Sequence, residues 1–295
     1  MEFEVNASRR GLRRRFAGGL LGLLTGLFTV TGLADPPSIA TLDWTLAETL
    51  VALDAPPDAV AQVPDYHSWV GEPRLPDDVV DLGLRSQPNL ERLAALSPER
   101  ILISPMFAAL APRLGRIAPV KSLALYTPGG DTWGEMLDLT RELGELAERP
   151  EAANRLIETT EAGLASLAKR LPEQRRPLLV LQFMDARHVR VFGANGLFQA
   201  VMDRLGLANA WQDDTNAWGF ALVGVEELIE IEARLVVVEP YPEGVEATLA
   251  TSGLWQRQPS VRDGSLITLP PTWSFGALPS ARRFAKRLVA ALAEE

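Results

Sequence analysis

The sequence predicts an α/β protein, and three observations carry that expectation. From Ser38 onward, short β-branched runs alternate with segments of helical periodicity. One long amphipathic stretch begins at Pro150, and a second series of strand-like runs follows it. Of the 295 residues, 47% are hydrophobic, which supports a sizeable core and excludes a disordered chain.

The elements follow in order. Ser38–Leu42 reads as a strand and Thr45–Leu53 as a helix, closed by Pro56-Pro57. Ala59–Val63 is a second short strand. Val79–Leu82 leads through Gly83-Leu84-Arg85 to a helix opened by Pro88-Asn89 and closed by Pro98. Ile101–Ile103 is a strand, Arg113–Ile117 is helical, Val120–Leu125 is a strand, and Asp131 caps a helix reaching Ala147. From Pro150, the residues Ala153, Leu156, Ile157, Thr160, Leu164, Leu167, Ala168 and Leu171 recur at three- and four-residue steps. That pattern is one helix of about 22 residues, roughly 33 Å long. It serves either as a rigid spine between two lobes or as an ordinary crossover, and periodicity does not separate the two.

Beyond it, Leu178–Phe183 and His188–Gly193 are strands, and Asn195–Leu205 is a helix stopped by Gly206. Gly224–Glu230 is a short helix, and Leu235–Val238 and Leu266–Leu269 are strands. Ser280 caps the last helix, whose Phe284, Leu288, Val289 and Leu292 form an apolar stripe opposite a solvated face of Arg282, Arg283, Lys286 and Arg287.

Charge and composition exclude several functions. The net charge is −9, and residues 1–34 hold five Arg against two Glu, so the chain without them carries −12. An acidic body argues against a nucleic-acid partner. With no Cys, thiolate zinc sites, iron–sulfur clusters and thiol nucleophiles are ruled out. The start, Ser8-Arg9-Arg10-Gly11-Leu12-Arg13-Arg14-Arg15, precedes an uncharged stretch from Phe16 to Ala34. This is the layout of a twin-arginine-like export signal cleaved near Ala34, with a permanent anchor as the plainer alternative.

Catalytic chemistry finds little support. The two His, His67 and His188, lie far apart in no metal-binding spacing, and there is no GxSxG elbow. Gly129-Gly130-Asp131-Thr132-Trp133-Gly134 lacks both phosphate-loop patterns and reads as a turn before a helix. We therefore expect no catalytic residue and no metal held by protein side chains. The tryptophans stand out instead. Trp69, Trp218 and Trp273 sit in polar, Gly- or Pro-rich text that reads as loop, where each alone would be local capping. Together they suggest an aromatic-lined cleft at strand ends. Arg85, at the end of a strand, either points into that cleft or pairs at the surface with Asp81 or Glu91.

At these residues the chain resembles the periplasmic ferric-hydroxamate (ferrichrome-type) siderophore-binding proteins of bacterial ABC importers. The resemblance rests on Trp69-Val70-Gly71-Glu72-Pro73, Asp81 to Glu91, Asp185-Ala186-Arg187-His188, Asn209-Ala210-Trp211-Gln212, Thr215-Asn216-Ala217-Trp218-Gly219 and Leu254-Trp255-Gln256. It implies a bilobed protein with two α/β lobes on one long rigid helix: residues 35–148, a spine at 149–172, and residues 173–295, after a signal at 1–34. It implies a ligand cleft with Arg85, Trp69, Trp218 and Trp273. Phe107 and Phe275 stand where the family has tyrosines, and Phe220 where it has a serine, leaving Arg85 as the main donor. The implied partners are a ferric hydroxamate and the permease and ATPase of an ABC importer, with Glu226 a candidate docking residue. No intrinsic cofactor is implied, since iron(III) arrives inside its chelate, and a periplasmic monomer is expected. A corrinoid or haem on the same scaffold is the alternative cargo, with an exported cofactor-dependent enzyme further behind.

Overall fold

Two five-stranded sheets organise the chain, and the computed structural model describes residues 37–172 and 176–293 of it. The expected export signal at 1–34 lies outside the described residues. The first sheet is β1 (Ile39–Thr41), β2 (Ala59–Val60), β3 (Val80–Asp81), β4 (Arg100–Ile103) and β5 (Val120–Ser122), in the order β3-β2-β1-β4-β5. All its pairings are parallel, so each connection crosses over, through α1 (Trp44–Ala52), α2 (Val63–Trp69), α3 (Leu90–Leu96) and α4 (Ala111–Leu114). The inner strands β2, β1 and β4 are short and almost wholly buried, as a sheet covered on both faces requires, whereas the edge strands β3 and β5 are partly polar and more exposed.

The chain leaves this sheet through α5 (Thr132–Leu146) and α6 (Pro150–Ala168). Asp131 caps α5 by accepting from the Trp133 backbone N–H, so the glycine run before it is the turn that the sequence suggests. The α6 helix has 19 residues rather than the expected 22. Pro172 disfavours helical backbone at the residue before it, so the last turn loosens past Ala168.

The second sheet contains β6 (Leu178–Phe183), β7 (His188–Phe192), β8 (Phe220–Gly224), β9 (Arg234–Val238) and β10 (Ile267–Leu269), in the order β10-β9-β6-β7-β8. Here β10, β9 and β6 are parallel, while β7 and β8 extend the sheet as antiparallel strands. The α7 (Leu197–Leu205), α8 (Val245–Thr251), α9 (Pro259–Arg262) and α10 (Leu278–Ala293) helices complete the order. One apolar cluster takes Ile39 and Leu102 from the first sheet, Val180 and Val236 from the second, and Leu156 and Phe284 from the helices. The core is continuous between the sheets.

Several local readings are corrected. The run after Val60 turns into α2, because Gln62 adopts a left-handed conformation and Pro64 occupies the first turn. Helical backbone falls at Ala111–Leu114, preceded by a 3₁₀ turn at Pro105–Leu110, and stops at Gly115 instead of running to Ile117. The strands β8 and the helices α8 and α9 were not legible. Ser280 lies inside α10, whose helix already begins at Leu278, so it is not the cap.

Arg283 is not on a solvated face either. It is buried, and its guanidinium donates to the Val70 carbonyl at 3.2 Å and approaches the Glu48 carboxylate at 3.4 Å. Glu48, on α1, is fully buried and also accepts from Ser280 Oγ at 2.7 Å and the Ala277 backbone N–H at 3.1 Å. Burial raises its carboxyl above the ordinary value, against the pull of Arg283, Ser280 and Ala277. The α10 helix is thereby fastened to α1.

Candidate functional site

The segment between β10 and α10 is the centre of the site, because the hydrogen bonds around Glu48 hold it against the first half of the chain. Trp273 Nε1 donates to Thr45 Oγ1 at 3.0 Å, and that hydroxyl donates on to the Phe275 carbonyl at 2.8 Å. The Tyr126 hydroxyl donates to the Gly276 carbonyl. Trp273 and Phe275 are thus delivered by one half and pinned by the other.

From there a run of rings crosses the site. Trp44 meets Trp273 at 5.0 Å between centroids, Trp273 meets Phe275 at 5.2 Å, and Phe275 meets Phe220 at 5.9 Å. Contacts of this length and tilt are edge-on or inclined aromatic pairs, which hold each other's orientation. A guanidinium stands at each end. Arg85 lies over Trp44 at 4.4 Å, and Arg190 lies over Phe220 at 5.0 Å and Phe275 at 5.5 Å.

Arg85 is held in place by the protein itself. Its Nε donates to the Leu42 carbonyl at 3.0 Å, and its Nη2 lies 3.7 Å from Asp43 Oδ2. Asp43 is in turn fixed, capping α1 through the Thr45 N–H at 2.8 Å and accepting from Ser104 Oγ at 2.7 Å. Neither Asp81 nor Glu91 is its partner; the Asp81 carboxylate accepts backbone N–H groups of Gln62 and Gly83 instead. Burial lowers the Arg85 pKa and Asp43 opposes that shift.

These residues line a cavity of about 670 Å³, together with Trp69, Met106, Tyr126, Met184 and Trp218. A volume of that size suits a small-molecule ligand. Among the described residues, no group of His, Cys, Asp or Glu is placed to hold a metal ion. Residues 39–272 match the family described as periplasmic binding protein. The chain belongs to that family.

Two relatives sharpen the comparison. This periplasmic binding protein is 35% identical to the iron(3+)-hydroxamate-binding protein FhuD of Escherichia coli K12 over 257 residues, 86% of each chain. It also matches the crystal structure of Fe³⁺–Desferal-bound FhuD from Vibrio cholerae with a TM-score of 0.83 and 27% identity, covering 87% of this chain and 98% of that one. The petrobactin-binding protein YclQ of Bacillus subtilis shares the fold, with a TM-score of 0.71 at 18% identity over 88% of this chain and 93% of that one.

Six of the seven residues singled out for the cleft of this binding protein line the cavity: Arg85, Trp69, Trp218, Trp273, Phe275 and Phe220. Phe107 does not. The 3₁₀ turn buries it with Ala40, Leu42 and Leu82, where its ring supports Arg85 from behind at 5.1 Å. Trp69 ends α2 rather than sitting in a loop, and Phe220 opens β8. Trp218 is a true loop residue, half-exposed, in a turn where Asn216 Oδ1 accepts its N–H at 3.0 Å. The following Gly219 has φ +76°, and a Cβ there would lie 2.3 Å from the Gly196 backbone, so only glycine lets this turn close.

The sequence reading missed Arg190. It sits mid-strand on β7, on the face that carries Phe192, and alternation was its only signal. Arg85 is therefore not the lone guanidinium of the site. Glu226 is exposed at the start of the 3₁₀ turn Val225–Glu230 and does not line the cavity.

Proposed function

We propose that this protein captures iron(III)–hydroxamate siderophores outside the cytoplasm and delivers them to an ABC-type permease for iron uptake. The observation that carries the reading is the run of rings ending in Arg85, in the fold of proteins described as binding ferric hydroxamate. A hydroxamate siderophore brings all six oxygens that iron(III) needs, so the protein has only to hold the chelate. Free N–H groups of Arg85 donate to the hydroxamate oxygens, and the indoles of Trp69, Trp218 and Trp273 cover the apolar linkers. The hydroxyls of Ser104 and Tyr126 are already committed to protein acceptors, which leaves guanidinium and the indole N–H groups of Trp69 and Trp218 as donors.

On this reading the chain divides into residues 35–148 and 173–295 with 149–172 as spine, follows an export signal at 1–34, and acts as a monomer. Glu226 belongs to the surface presented to the permease. The test is tryptophan fluorescence with ferric desferrioxamine B, its iron-free form and a corrinoid side by side. Quenching and thermal stabilisation by the ferric chelate alone support the reading, and Arg85→Ala weakens that binding by about 1–3 kcal/mol. No response to several ferric hydroxamates overturns it, as does tighter binding of the corrinoid.

A further inference from the structure

The charges in the cavity do not cancel. Its lining holds Asp43, Arg85 and Arg190 as charged side chains, and Asp43 is already engaged with Arg85. Arg190 has no carboxylate within ion-pair distance among the described residues; its guanidinium lies over the faces of Phe220 and Phe275. The site is therefore net positive in a chain whose net charge is −9. A guanidinium drawn out of water onto two rings bears a desolvation cost that the rings only partly offset. Burial accordingly lowers the Arg190 pKa, with no acidic neighbour pulling it back.

The surroundings direct that charge at a ligand. On β8, Leu222 sits opposite Arg190 and Phe220 opposite Phe192, while on β6 the neutral Gln182 sits opposite Arg190, so no cross-strand neighbour offers it a countercharge. Met184, which lines the same cavity, is 37% exposed, and Phe220 and Phe275 cover the guanidinium with their faces. Rings against one side of a guanidinium keep water from that side and strengthen an ion pair formed on the other.

We propose that Arg190 makes this site select ferric chelates bearing an anionic arm, such as a carboxylate, over neutral or cationic ones. The inference rests on the ferric-hydroxamate reading above and names the charge class within it. Iron(III) and three deprotonated hydroxamates cancel, so any net charge on the complex lies on its periphery. Arg85 grips the neutral iron centre, and Arg190, at the far end of the rings, meets the periphery.

Three probes with one iron core test this. Ferric desferrioxamine B has a pendant ammonium and is cationic; its N-acetyl derivative is neutral; its N-succinyl derivative ends in a carboxylate and is anionic. The wild-type protein, titrated by fluorescence at low salt, should bind the succinyl complex about ten-fold more tightly than the parent, with the acetyl complex between them. Arg190→Leu should bring all three together, Arg190→Lys should keep the order, and added salt should compress it. Equal binding of the three by wild type, or an order that survives Arg190→Leu, overturns the inference and leaves the ferric-hydroxamate reading standing. Binding of none of the three overturns both.

Discussion

Glu48 and Arg283 carry the least expected chemistry in the molecule, a carboxylate and a guanidinium buried together behind the ligand cavity. The pair is not simply stabilising, since taking two charges out of water costs several kcal/mol per ion. Its sign with pH follows from the raised Glu48 pKa. A carboxyl whose folded value is raised adds stability that is complete below its unfolded value of 4.5 and lost as pH climbs through the folded value. Glu48→Gln removes the titration. Urea unfolding of both proteins should therefore show wild type gaining on the variant as pH falls towards 4.5, by at most about 1.4 kcal/mol per pH unit. A gap that narrows on acidification would mean that Arg283 outweighs burial. None of this was legible in sequence. Glu48 falls in a helix that is buried nearly all round, and Arg283 falls among Arg282, Lys286 and Arg287, which read as a solvated face. Arg85 was legible because a strand end and a helix start enclose it, whereas Arg190 lies in an alternating strand that gives no hint of what its polar face meets.

At the scale of elements, the α5–α6 packing is the sharpest constraint. A Cβ at Gly144 would stand 2.6 Å from the Ala153 Cβ and 3.2 Å from the Arg149 carbonyl oxygen. Neither neighbour is the end of a flexible side chain. Gly144→Ala gains up to about 1 kcal/mol of helix propensity but overpacks the contact by about 1–3 kcal/mol. The variant should be net destabilised in chemical denaturation, and a more stable variant would mean that the two helices separate freely. The α6 helix itself was legible because its apolar positions keep step for five turns. β8 was not, because its buried and exposed residues do not alternate and its first residue continues the Trp218 turn. Short strands such as β2 and β3, of two residues each, show as apolar patches in sequence but leave their ends undefined.

For the whole molecule, the shared core and the pinning of residues 273–277 by Thr45, Glu48 and Tyr126 oppose hinge closure. Small-angle scattering with and without a ferric hydroxamate should give the same radius of gyration. A clear contraction on loading would mean that these bonds break on binding. The α/β class was readable from the alternation of strands and helices, and the cleft from three misplaced tryptophans. The bonds that pin residues 273–277 span 150 to 230 positions, too far for any local pattern to signal.

Those bonds also bear on how the chain is made. Glu48 leaves the ribosome 235 residues ahead of the guanidinium that completes its shell. Throughout that interval the first sheet can bury one face on its own residues, but Ile39 and Leu102 lack the late members of their cluster, Phe284 among them. Shortening the chain at its tail would strip the cargo site from the far end of the sequence.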